Sequence, residues 1–100
     1  MLIKLSPYAP LPGSDEHLSL SRAGDVLTVN GQAFDFTPLP EGGELPAEAI
    51  GSELFAGPVV RRNGRLELSL RFPLAADASA AARFPEPLLI ETDGPVGLPR

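Results

Sequence analysis

One hundred residues are the length of one domain, and a chain of this size buries roughly 65% of its unfolded surface, enough for a single core. A net charge of −5 disfavours nucleic acid as the main partner, and the absence of cysteine excludes disulfides, thiolate metal sites and cysteine nucleophiles. Twelve prolines and ten glycines punctuate the chain too often for long helices and favour short strands joined by turns.

Met1-Leu-Ile-Lys-Leu5 reads as a short first strand at a sheet edge. Pro7 cuts this apolar run short of the 7–15 residues, roughly, of a signal-peptide core, and no run approaches the ~20 residues of a membrane span. The expectation is therefore a soluble, cytoplasmic chain without membrane contact. Residues 7–14 carry three prolines, which lack a backbone donor, so the segment reads as an extended connector and not a central strand. Pro7 and Pro10 match P-x-x-P, and the connector reading is preferred over recognition by an aromatic groove. Ser14-Asp15-Glu16-His17 resembles a catalytic inventory, but neighbours on an extended segment point to alternate faces and do not converge. It reads as a solvated loop.

Residues 17–37 form the organising element, a three-strand meander. His17–Arg22, Asp25–Val29 and Gln32–Thr37 alternate or are β-branched, and Asn30-Gly31 is a strong two-residue hairpin signal. With two-residue turns at Ala23-Gly24 and Asn30-Gly31, Leu20 faces Leu27, Leu18 faces Val29, and Leu27 faces Phe34. One face then collects Leu18, Leu20, Leu27, Val29, Phe34 and Phe36. A one-residue slip would invert a strand, so two independent turns giving one apolar face support the pairing.

Pro38–Pro46 is a loop by composition, and Pro46–Ile50 is suited to one helical turn closed by Gly51. Glu41, Glu44 and Glu48 lack the alternating ligands of a calcium loop and read as solvated. Leu54-Phe55 either closes the core or lies exposed for binding. A second hairpin spans Pro58–Phe72 about Asn63-Gly64, with Leu66, Leu68, Leu70 and Phe72 inward and Arg65, Glu67, Ser69 and Arg71 outward. Arg62 falls opposite Arg65, with Glu67 on the diagonal to offset the repulsion. In the alanine-rich stretch 73–83, Asp77 is placed to cap a short helix that Phe84-Pro85 ends. Leu88–Thr92 reads as the last strand, and 95–100 as a loose tail.

The fold class is all-β over residues 1–100: a meander and hairpins in a small sandwich or open barrel, with at most one or two single-turn helices. Ser21-Arg-Ala-Gly-Asp-Val-Leu-Thr-Val-Asn-Gly-Gln-Ala-Phe-Asp-Phe-Thr-Pro-Leu-Pro, followed by Leu45-Pro-Ala-Glu-Ala-Ile-Gly51, resembles small uncharacterised proteins encoded among the tail genes of prophages in Gram-negative bacteria. The resemblance covers roughly residues 1–99 and carries no catalytic motif. It implies a virion-structural or assembly setting, in the cytoplasm or in the assembled particle.

No nucleotide-binding, zinc-protease or nucleophile-elbow motif occurs, and one histidine leaves few routes to an activated nucleophile. The expectation is a non-enzymatic interaction or structural module with no metal, no cofactor and no small-molecule substrate. The alternatives are a small host binding or regulatory domain and a carboxylate-dependent enzyme. A protein partner or self-association is expected at unprotected strand edges, Val59-Val60 and Met1–Leu5. Leu54, Phe55, Val59, Val60, Arg61 and Arg62 are the candidate contact residues.

Overall fold

The computed structural model describes residues 1–13, 16–75 and 77–99. Its strands form two sheets that pack face to face and do not close into a barrel. The first sheet holds β1 (Leu2–Tyr8), β5 (Glu44–Leu45), β6 (Val59–Arg62), β7 (Arg65–Pro73) and β8 (Leu88–Leu89), in the order β5-β6-β7-β1-β8. The second holds β2 (Leu20–Ala23), β3 (Val26–Val29), β4 (Gln32–Asp35) and β9 (Gly94–Pro95), in the order β4-β3-β2-β9. Among the described residues only β1 and β7 pair in parallel; the other pairs are antiparallel.

The meander forms, with one register corrected. Asn30 and Gly31 take φ of 50° and 84°, and Val29 faces Gln32 and Leu27 faces Phe34 as expected. The first turn is Gly24-Asp25, one residue later than expected, so Leu20 faces Val29 and Arg22 faces Leu27. Gly24 has φ +60°, and a type II′ turn places glycine at its first central position. The shift amounts to two residues of register, which preserves side-chain parity, so the same apolar face results. Leu20, Leu27, Val29, Phe34 and Phe36 are buried, and Leu18 is half-buried against them. Past the end of β3 the ladder gives one last backbone bond, from Asn30 N to Ser19 O, and Leu18 finds no strand opposite. The Asn30 side chain substitutes, accepting from Ser19 N at 2.7 Å and donating to the His17 carbonyl at 2.9 Å.

β1 is not an edge strand, and it runs through Pro7 to Tyr8 between β7 and β8. Alternation explains the tolerated proline. Met1 exchanges backbone bonds with Ile90 on the β8 side, while Tyr8 O accepts from Leu74 N on the β7 side. Pro7 therefore turns its nitrogen to the side where β8, which pairs only with Leu2 and Ile3, has ended.

The second hairpin follows its expected register, with Arg62 opposite Arg65 and the Glu67 carboxylate 3.9 Å from Arg62. Leu66, Leu68, Leu70 and Phe72 are all buried. Past β6 the same edge of β7 is taken by Leu54–Ala56: Arg71 N donates to Leu54 O and Ala56 N to Ser69 O. Phe55 thereby enters the gap between the sheets, where its ring meets Phe34 at 5.0 Å and Phe36 at 6.1 Å, both edge-on.

Two single helical turns complete the chain. α1 (Ala47–Ile50) starts after Pro46 and ends at Gly51, as its sequence implies. α2 (Ala80–Arg83) is capped by Ser79, whose hydroxyl accepts from Ala82 N at 3.3 Å; Asp77, the expected cap, stays exposed. Ala76 lies outside the described residues. The last strand is shorter than Leu88–Thr92, because the chain leaves β1 at Ile90 and crosses to β2 as β9. Residues beyond 95 are tied down: Val96 N donates to Leu20 O, and Val96 and Leu98 pack on the core. Arg100 lies outside the described residues.

Candidate functional site

The six candidate contact residues do not form one exposed patch. Strand alternation divides them: Val59 is fully buried, Val60 is half-buried on the opposite face, and Arg62 is exposed beside Glu67. Phe55 is buried among aromatic rings and Leu54 packs against the core, so the apolar pair closes the core. The expected open edge at Val59-Val60 is also covered. β5 pairs with it, and Gly42 and Gly43 continue the ladder by exchanging backbone bonds with Arg61.

Arg61 shares the Val59 face, and its side chain runs inward to join the two sheets. Its Nε donates to Leu39 O at 2.6 Å, and one terminal nitrogen reaches Phe36 O at 3.0 Å and the Asp25 carboxylate at 3.1 Å. The guanidinium's fixed fork of donors suits this task, since carbonyls and a carboxylate are engaged together. Glu41 works from the same loop. Its two carboxylate oxygens accept from the Asn63 and Gly64 amides at the tip of the β6–β7 hairpin. Among the described residues no cluster of three histidine or carboxylate groups could hold a metal.

An open groove of about 960 Å³ lies beside the end of β7. Pro10, Leu11, Leu18, Phe72, Leu74 and Leu98 give it an apolar lining, Glu16, Asp77 and Arg83 add charge, and His17 adds an imidazole. Leu11 is 79% exposed, and Phe84, next in sequence to Arg83, is 81% exposed. The groove draws on six separate runs of described residues, which no local pattern brings together. Of the suspected catalytic tetrad, Glu16 and His17 lie on this groove, while Ser14 and Asp15 are outside the described residues.

Tyr8 hydroxyl donates to Glu16 Oε1 at 2.9 Å, and the Arg71 guanidinium sits 4.3 Å over the ring. Burial, then the hydrogen bond and charge of Glu16, push the phenol above its ordinary value of 10.0; Arg71 opposes this weakly. Tyr8 is the sole tyrosine and there is no tryptophan, so its ultraviolet titration is clean. A midpoint above the free phenol is expected, and Glu16→Gln should lower it. A raised folded pKa means that this contribution to stability is present below the unfolded value and is lost as pH rises through the folded one. A midpoint at or below that of free tyrosine would show that the Tyr8–Glu16 contact does not persist in solution.

The sheet edges differ in their protection. β5, β8 and β9 are two residues each and abut or contain a proline: Pro46, Pro87 and Pro95. β4 is four residues long, contains no proline, and among the described residues pairs only with β3. Short strands and prolines are the usual means of blunting an edge, so β4 is the one left open.

Compared with known proteins, the chain matches no family model, no curated protein and no solved structure.

Proposed function

We propose that this protein is a non-enzymatic interaction module that works by associating with another protein chain. The observation that carries this reading is the open apolar groove, with Leu11 standing exposed on it and Phe84 exposed beside Arg83, one of its lining residues. Large side chains at such exposure are stabilised when a partner removes them from water, by about 25 cal/mol per Å² of apolar surface covered. The resemblance carried by Ser21–Pro40 and Leu45–Gly51 supports a setting among prophage tail or tail-assembly components, in the cytoplasm or in the virion.

The test is capture of the products of flanking genes by the purified chain, compared with a Leu11→Ser/Phe84→Ser double variant. Both replaced side chains lie largely in solvent, so the variant should keep the wild-type melting temperature. A flanking product retained by the wild type and released by the variant is the expected result. Equal retention by both would mean that the groove is not the contact, and no retention by either would remove the reading.

A further inference from the structure

We propose that two copies of this chain join through β4, adding the strands antiparallel about a two-fold axis at Phe34 so that two four-stranded sheets become one. The inference rests on the interaction reading above and names a second copy of the chain as partner.

The backbone alternation of β4 sets the geometry. Phe36 N donates to Asp25 O, so residues 32, 34 and 36 direct their backbone groups toward β3. Ala33 and Asp35 therefore point theirs outward, and no described residue bonds to them. The edge thus offers two donors and two acceptors.

Only one two-fold register uses all four. Placing Ala33 opposite the partner's Asp35, and Asp35 opposite the partner's Ala33, makes two hydrogen-bonded pairs. Sliding by two residues in one direction sets Asp35 against the partner's Asp35, which is repulsive. In that register Ala33 would also face Thr37, whose amide is already given to the Asp35 carboxylate at 2.9 Å. Sliding the other way leaves Asp35 opposite Gly31 in the hairpin turn, with φ +84°. The favoured register also brings Phe34 against the partner's Phe34 on the core side, as a close non-hydrogen-bonded aromatic pair. The Asp35 side chain bends back to its own Thr37 amide, so it does not guard the edge.

Sedimentation over a wide concentration range tests this. The wild-type chain should pass from monomer to dimer. Ala33→Asp sets a carboxylate against the partner's Asp35 twice, and should weaken dimerisation about tenfold. Ala33→Lys should retain the dimer, and Ala33→Asp combined with Asp35→Lys should restore it by reversing the pair. Ala33 is exposed, so each variant should keep a wild-type circular dichroism spectrum. Should Ala33→Asp fail to fold, Ala33→Lys combined with Asp35→Lys, which sets lysine against lysine twice, should weaken the dimer in its place, and a dimer indifferent to that variant overturns the register. A monomer at every concentration, or a dimer indifferent to all three variants, overturns the proposal. A monomer that nonetheless captures a flanking product through Leu11 and Phe84 overturns only the self-pairing; a monomer that captures nothing overturns the interaction reading as well.

Discussion

Phe55→Ala should lower the unfolding free energy by about 3–5 kcal/mol, the usual cost of truncating a buried aromatic side chain. For a domain of this length that is a fall in melting temperature of roughly 12 °C or more. The reason is position. Phe55 reaches the core from the first sheet, beside Leu70, and its ring stands edge-on to Phe34 and Phe36 from the second. One truncation therefore opens a cavity and removes two aromatic pairs, each worth about 0.5–1.5 kcal/mol beyond area burial. Urea unfolding of the variant checks this. A change under about 1 kcal/mol would place Phe55 on the surface and break the link between the sheets.

Arg61→Met should cost about 2–3 kcal/mol, although the apolar stem is retained. The substitution strands the Leu39 carbonyl, takes one of two donors from the Phe36 carbonyl, which keeps Leu39 N, and leaves the Asp25 carboxylate without its cation. A fully buried pair broken on one side costs about 3–5 kcal/mol. The figure here is smaller because Asp25 keeps 36% of its side-chain surface in water and can be rehydrated, while Arg61 keeps 13%. Arg62→Met is the control. Arg62 is exposed and its partner Glu67 lies 3.9 Å away, so a loss within about 0.5 kcal/mol is expected. Equal losses in the two variants would contradict the inward placement of Arg61.

The contrast between these arginines shows what the sequence made legible. Alternation assigns Arg61 and Arg62 to opposite faces, and Asn63-Gly64 sets their register, so Arg62 opposite Arg65 could be derived on paper. The same reasoning gave the buried face of the meander. It survived a misplaced first turn because moving from Ala23-Gly24 to Gly24-Asp25 shifts the register by two and leaves parity intact. Partners distant in sequence were not legible. Nothing in Met1–Leu5 indicates a parallel alignment with Glu67–Leu70, which places β1 inside the sheet and not at its edge. Likewise Gly94-Pro95 reads as a terminal turn, and only its bonding to Ser21 and Arg22 makes it a strand. At the candidate contact, Leu54, Phe55 and Val59 to Arg62, the apolar residues were visible in the sequence, but not the loop at Gly42-Gly43 that pairs along the strand. The open edge at β4 emerges only when every other edge is accounted for.

Residue-resolved amide exchange, measured at low and high protein concentration, tests the pairing most directly. Ala33 and Asp35 direct their amides away from β3, while Phe34 directs its amide inward. Dilute protein should therefore exchange Ala33 and Asp35 rapidly and Phe34 slowly. At high concentration Ala33 and Asp35 should gain protection together, with Phe34 unchanged. Rapid exchange of Ala33 and Asp35 at every concentration would contradict the account.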